Sequence, residues 1–249
     1  MTATVHLLGT GAAYSDAGRT TTMICVTNGA SALVIDCGGD VVSRMQLADV
    51  SLATIQALFL THEHIDHVGG FPLLYKKLWL YGRRSPLPVY GLPEAIIQAA
   101  RCFATFDTRA FKNLPPIRWR TIEPDTARAV YRDEYWEVSA AYGNHGVSSV
   151  GLRVTSLQTG GILTYTSDTS PSDAITRLAS GSDLLLHEAT GPLPGHSTVL
   201  QAAVTARESQ AGKLVLVHLP PHVPEKDLQT ARAIFAPTEI GEELSTYAL

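Results

Sequence analysis

Cysteine is scarce: Cys25, Cys37 and Cys102 are odd in number and form no CxxC pair. That excludes a disulfide framework and makes a reducing cytoplasm the expected setting. Long apolar runs are missing, since none approaches the ~18 residues that span a bilayer, so no membrane partner is expected. Met1 leads straight into Val5-His6-Leu7-Leu8-Gly9, with no basic segment followed by an apolar one, and no signal peptide is expected. Fixed-period repeats and low-complexity tracts are also missing. Positive charge is not in excess: the formal charge is −4, which gives no global field to draw nucleic acid, and DNA is not an expected partner. What is present is ordinary for a folded chain. The 249 residues are 45% apolar and 17% charged, enough to bury a core in one α/β domain over residues 1–249.

Short β-rich runs open the chain. Residues 3–9, 21–27 and 31–36 read as strands, with an Asn28-Gly29 turn between the last two, and 40–48 as a helix. Residues 55–60 are almost wholly apolar, as expected of a strand buried on both faces. Helices are expected from Pro72 to about Tyr81 and from Glu94 to Ala104, with a strand at 87–90. Residues 107–128 resist assignment. Strands then fit 134–141, 150–155, 162–167, 183–187 and 213–217, and helices 171–179, 198–211 and 225–235, before an edge strand in the tail. Hairpins mixed with helices predict two sheets, or a mixed sheet, covered by helices.

The chemistry concentrates in Thr61-His62-Glu63-His64-Ile65-Asp66-His67, directly after the buried strand. Three imidazoles and a carboxylate on one turn cannot all be satisfied by a few backbone groups. They suit a divalent metal: zinc, manganese or iron. A His-x-His pair puts two side chains on one side of an extended segment. Asp66 and His67 follow where the chain turns, placed for a second ion. A solvated polar loop is the alternative.

His62-x-His64-x-Asp66-His67 resembles the signature of the metallo-β-lactamase superfamily. The resemblance implies an α/β fold, the four-layer αββα sandwich, with two divalent metal ions at one edge: zinc, with manganese as the alternative. It also implies a later His, a bridging Asp and a last His, each at the end of a strand. His145, Asp168 and His218 stand in that order. On this resemblance His62, His64 and His145 hold one ion, Asp66, His67 and His218 the other, and Asp168 lies between.

Further stretches are similar to the tRNase Z group: Leu7-Leu8-Gly9-Thr10-Gly11, the segment from Leu73 to Leu80 with Gly82-Arg83, Leu186-His187-Glu188-Ala189-Thr190, and His196-Ser197-Thr198. Two departures stand out. That group carries a protruding, tRNA-gripping arm between the ligands matching His145 and Asp168, where this chain has only residues 146–167. The loop Gly18-Arg19-Thr20-Thr21 also lacks the usual Asn after Arg. The resemblance therefore implies a phosphodiester substrate, a nucleotide or RNA, small or unstructured. Genuine tRNA 3′ processing, with tRNA held by the partner subunit of a homodimer, is the alternative. Thioester or lactone hydrolysis and non-catalytic metal binding complete the set.

In such a site Asp66 accepts the attacking water's proton. His196 protonates the departing oxygen, and Glu188 orients His196. The bland reading of this loop is a helix cap at Ser197 or Thr198. Other features are weaker. His6 and His187 read as packed, and His222 as a rim residue. Asp36 is either a turn residue or a support for the metal site. Lys76, Lys77, Arg83 and Arg84 are either a phosphate rim or a solvated face. Leu73, Leu78, Trp79 and Leu80 are core or a dimer contact. Gly9-x-Gly11 is no dinucleotide loop, because Tyr14 stands where the third glycine belongs.

Overall fold

The structure, a computed structural model, describes residues 2–125 and 128–249. Met1 and residues 126–127 of the expected domain lie outside the described residues. Two seven-stranded sheets form the frame. In the first, β1 (Thr4–Gly9), β2 (Met23–Thr27), β3 (Ala32–Ile35), β4 (Ile55–Leu60), β5 (Leu87–Gly91) and β6 (Ile117–Thr121) follow in order, with β14 (Thr246–Ala248) outside β1. The second runs β7 (Ala129–Arg132), β8 (Trp136–Tyr142), β9 (Val150–Ser156), β10 (Ile162–Tyr165), β11 (Leu184–Glu188), β12 (Lys213–Val217) and β13 (Thr238–Ile240).

Side chains alternate between two apolar environments, which is why the central strands read as unbroken apolar runs. Leu33, Ile35, Ala57 and Phe59 of the first sheet share a core with Leu152, Leu163, Val215 and Val217 of the second. Their neighbours Val34, Leu58 and Leu60 point the other way. They pack with α1 (Val41–Leu47), α3 (Phe71–Leu80) and α4 (Pro93–Ala104). On the far side, Leu214 and Leu216 pack with α6 (Val199–Glu208) and α7 (Glu225–Ile234), while α5 (Asp173–Leu178) covers β8. The layers are helix, sheet, sheet, helix, the predicted αββα sandwich. Trp136 ties the two sheets through its indole N–H, which donates to Ser31 Oγ at 2.9 Å.

Strand direction decides where the site falls. β3, β4, β5 and β6 are mutually parallel, and so are β10, β11 and β12. β8 and β10 both run antiparallel to β9, so β8 shares the direction of β10. The residues at or just beyond the ends of β3, β4, β8, β10, β11 and β12 carry the chemistry, in keeping with the rule that α/β sheets bind ligands beyond the carboxyl ends of strands. Between His145 and Asp168, β9 and β10 are joined by residues 157–161 alone. Ser156 N donates to Gly161 O at 2.9 Å and closes the turn, so nothing protrudes there.

The unassigned stretch 107–128 contains β6 and its connection toward β7. Arg118 and Arg120 are exposed on this edge strand, which hides its alternation from a hydrophobicity reading. The short helix α2 (Ile65–Val68) inside the metal motif also escapes such a reading, because four residues carry too little periodicity. Among the described residues no helix is long and apolar enough to cross a membrane. Cys25, Cys37 and Cys102 are free thiols. Burial pushes the Cys25 thiol up to about 12.

Candidate metal centre

All seven sequence-predicted ligands meet at one edge of the sandwich. His62 Nε2 lies 3.1 Å from His64 Nδ1, which lies 3.2 Å from His145 Nε2. Beside this trio, His218 Nε2 lies 3.2 Å from Asp66 Oδ2 and 3.3 Å from His67 Nε2. Asp168 stands between them. Its Oδ2 faces His62 Nε2 at 3.7 Å and His145 Nε2 at 4.0 Å, while Oδ1 faces His218 Nε2 at 3.4 Å and His67 Nε2 at 3.6 Å.

These spacings have a direct physical reading. Bonds of about 2.0–2.1 Å to a tetrahedral zinc put neighbouring donor atoms roughly 3.3 Å apart. The N···N separations match that edge length. The atoms in each trio lie close enough to share an ion, and Asp168 Oδ1, though buried, has no hydrogen-bond partner. A neutral imidazole and a carboxylate are the donors such an ion takes. The residues fit two divalent ions with Asp168 between them.

Hydrogen bonds behind the trios fix which nitrogen is free. His67 Nδ1–H donates to Asp36 Oδ2 at 2.8 Å. His218 Nδ1 meets Thr190 Oγ1 at 2.7 Å; that hydroxyl donates to His218 O, so the imidazole is the donor between them. His145 Nδ1–H donates to Gly195 O at 2.8 Å. In the neutral ring each of these bonds leaves Nε2 with its lone pair toward the centre. Of the two readings of Asp36, the structure selects the support behind His67. Asp36 also accepts from Thr61 N and Thr61 Oγ1, both at 2.9 Å.

The backbone is bent to aim these groups. Asp36, Ser167 and His218 have φ of 61°, 53° and 51°, values that non-glycine residues hold only when their surroundings fix them. Gly38 allows the turn after Asp36 to approach the motif, since a Cβ there would lie 1.7 Å from Asp66 O. Gly195, at φ 81°, has no room for a Cβ beside His145 Nδ1, and it is this close approach that delivers its carbonyl.

Electrostatics separates the members. Burial, helped by the surrounding imidazoles, pushes His62 well below the usual histidine value. Burial also lowers His64, against the pull of Asp66 and Asp168. At His67 burial is outweighed by the carboxylates of Asp168, Asp36 and Asp66, which raise it to about 9. Burial would raise Asp66, but the neighbouring His218 and His67 imidazoles hold its carboxyl well below the usual range.

His196 stands at the rim, half-buried, with Nδ1 3.2 Å from Glu188 Oε1. It also comes within 3.9 Å of Asp168 Oδ2, near enough for a ligand, but its Nδ1–H is engaged by Glu188. Burial lowers His196, and Glu188 outweighs it, so the ring is raised above the usual value. Glu188 is completely buried. It also accepts from the backbone N–H groups of Thr169, Thr190 and Ser197, tying the loop after β10 to both ends of the β11–α6 loop. The cap reading of this loop holds at the same time for Thr198, whose side chain caps α6 in a capping box with Gln201.

The remaining candidates fall outside the centre. His6 Nε2 pairs with Thr27 Oγ1 at 3.0 Å, and His187 Nδ1–H donates to Glu188 O at 2.7 Å, so both are packed. His222 is exposed. The cations flanking α3 make local contacts: Lys77 with Asp40 and Ser43, Arg83 with Ile55 O and Pro86 O, Arg84 with Trp79 O, and Lys76 over the Phe111 ring. Leu78 is core, Trp79 is half-buried, and Leu73 and Leu80 are exposed. Sequence reasoning missed the orienting roles of Thr190 and of the Gly195 carbonyl. Thr190 could have been found as the last residue of Glu188-Ala189-Thr190; a backbone carbonyl leaves no signal.

A four-layer sandwich with two donor trios and a shared carboxylate at its edge defines a metallohydrolase-type protein. The chain belongs to the β-lactamase superfamily: the family description "Beta-lactamase superfamily domain" matches residues 32–219. Among curated relatives, "Ribonuclease Z" of Methanothermobacter thermautotrophicus is 26% identical, covering 97% of this chain and 95% of its own. That alignment runs over 304 positions, longer than the 249 residues here, so the relative carries segments without counterpart in this chain. Two solved structures share the fold. The metallo-beta-lactamase fold protein YhfI from Bacillus subtilis superposes with a TM-score of 0.83 at 23% identity, covering 100% of both chains. Human tRNase Z, short form, has a TM-score of 0.80 at 23% identity and 98% coverage of each.

Proposed function

We propose that this protein is a dinuclear-metal phosphodiesterase, one catalytic domain that cleaves phosphodiester bonds in a small or unstructured nucleotide or RNA substrate. The observation that carries the reading is the His196–Glu188 pair, 3.2 Å apart, on the rim of a two-trio centre. A carbonyl hydrolase has less need of such a donor, whereas an alkoxide leaving a phosphodiester must receive a proton. His62, His64 and His145 would hold one ion, and Asp66, His67 and His218 the other, with Asp168 available to both. Zinc suits this donor set and manganese is the alternative.

Two bound divalent ions supply a water ionised near neutral pH and positive charge for the phosphoryl oxygens. The chain does the rest. Asp66, held as a carboxylate, takes the proton of the attacking water. His196 keeps Nδ1–H on Glu188 and delivers its Nε2 proton to the departing oxygen. Glu188, saturated by three amides, holds that ring in place without moving. The free thiols fit a reducing cytoplasm.

Substrate size rests on the β9–β10 turn, where a tRNA-gripping arm has no room. tRNA 3′ processing is the second reading, favoured by relatives named Ribonuclease Z; it needs a homodimer in which the partner subunit supplies a basic surface. The deciding experiment sets zinc- or manganese-loaded protein against bis(p-nitrophenyl) phosphate, cyclic nucleotides, short RNA and precursor tRNA, with a thioester and a lactone alongside. Cleavage of the small phosphodiesters with precursor tRNA intact at low salt is expected. Intact phosphodiesters with a cleaved thioester or lactone would overturn the reading.

A further inference from the structure

A partly buried carboxylate near the C-terminus stands apart from the metal centre. Glu243 accepts through Oε1 from Thr10 N at 2.9 Å, Thr20 N at 3.2 Å and Thr10 Oγ1 at 3.2 Å. Its Oε2 pairs with the Arg44 guanidinium, whose Nε donates to Leu8 O at 2.6 Å. Arg19 closes the ring by donating to Thr10 Oγ1 and to Gly241 O. The next residue, Leu244, has φ 64°, a region disfavoured for residues other than glycine, and its N–H donates to Leu7 O at 2.8 Å. The turn that presents Glu243 is thus held against its own preference.

What Glu243 grips is the loop 10–22, and that loop in turn bonds the backbone at His218 and Leu219. Leu219 N donates to Thr10 O, and Ala12 N to Leu219 O, both at 2.9 Å. His218 N donates to Thr22 Oγ1 at 3.1 Å, and that hydroxyl donates to Gly11 O at 3.0 Å. The loop 10–22 therefore fixes the backbone on both sides of a ligand with φ 51°. The contacts of the other trio run elsewhere: His62 to Thr61 and Ser167, His145 to Gly195.

We propose that Glu243 is a positioning residue for the second trio: by clasping loop 10–22 it sets the His218 backbone, and with it where Nε2 meets Asp66 and His67. The inference rests on the two-ion reading of the centre, and its effect must fall on one site only.

The test counts ions. Metal-free full-length protein is dialysed against a series of free zinc concentrations, bound zinc is measured, and thermal unfolding of the metal-free state is recorded beside it. Wild type is expected to take up two ions per chain. Glu243→Ala is expected to weaken one of the two by about tenfold or more, the cost of losing an outer support of a ligand, and to leave the other unchanged. Glu243→Gln keeps an acceptor for the Thr10 and Thr20 amides while losing the charge opposite Arg44, so its effect has the same selectivity and smaller size; it decides the matter if the alanine variant does not fold. Ser245→Ala, whose hydroxyl donates to Glu242 O, leaves both ions in place. Wild type that binds fewer than two ions removes the two-ion reading and the inference with it. Two-ion binding that Glu243→Ala and Glu243→Gln leave intact, or weaken equally at both sites, overturns the role of Glu243 alone.

Discussion

The two donor trios have the same task and different construction. In the second, His67 is backed by Asp36 and His218 by Thr190, and all four residues are buried. In the first, the side chains of His62 and His145 are buried and His64 is the more open member; His145 leans on a backbone carbonyl, and among the described residues no hydrogen bond backs Nε2 of His64. That carbonyl belongs to Gly195, next to His196. The closed half is thus held by side chains at strand ends, and the open half by the loop that also carries the proton donor. Anchorage and access are divided between the halves, and Asp168 is the group that joins them.

Removing the joint has the largest expected effect. Asp168→Ala should abolish hydrolysis and lower zinc stoichiometry, exceeding the roughly 100-fold that loss of an outer support costs. Bound zinc and phosphodiester turnover check it together; a variant that keeps both ions and more than about a tenth of the rate would mean the trios work independently. Next comes His196→Ala on the open half. It should cost about 10²–10⁴-fold for a nucleotide diester and little for bis(p-nitrophenyl) phosphate, whose leaving group needs no proton. The sign with pH follows from the raised imidazole. His196 donates while protonated, so the rate with poor leaving groups falls as pH rises through its elevated value, and the variant loses that limb. Equal loss for every leaving group would reduce His196 to a structural role.

Asp36→Asn probes the closed half. Asparagine keeps the shape but not the charge behind His67, and it should weaken the ion held by His67 about 10–100-fold and the other, which Asp36 reaches only through Thr61 and His62, less. Zinc titration monitored by calorimetry reads the two sites separately, and equal weakening of both would erase the division between halves.

The same division explains what could be read in advance. His62, His64, Asp66 and His67 were legible because one tight turn needs no topology to bring them together. His145, Asp168 and His218 became legible only through resemblance, since their meeting depends on β8, β10 and β12 ending at one edge. Asp36 was ambiguous: a carboxylate before Cys37-Gly38-Gly39 reads equally as a turn, and only the fold shows His67 beside it. Thr190 and Gly195 act through a hydroxyl and a carbonyl that any loop offers. β6 escaped because its exposed arginines break the apolar pattern, whereas β4 and β12, covered on both faces, stand out in the sequence.

The smallest effect marks how far the bracing of the closed half extends. Asp40 caps α1, accepting from Ser43 N at 3.2 Å and Ser43 Oγ at 2.7 Å, and its carboxylate pairs with Lys77 of α3, the helix that follows the metal motif. Burial would raise this carboxyl, but Lys77 and Ser43 outweigh it and hold it low. Asp40→Ala should cost about 1 kcal/mol at neutral pH, the usual worth of an N-cap. A depressed carboxyl stabilises the fold above its unfolded value, about 3.9, and the contribution is lost as pH falls through the folded value. Denaturant unfolding at neutral pH and near pH 3 should therefore show a gap between wild type and variant that narrows on acidification. Zinc uptake should stay at two ions, because Asp40 touches α1 and α3 and not a ligand. If Asp40→Ala instead sheds one ion, the rigidity of the second trio comes from the helical layer as well as from Asp36 and Thr190, and the boundary between the halves has to be drawn outside the strand ends.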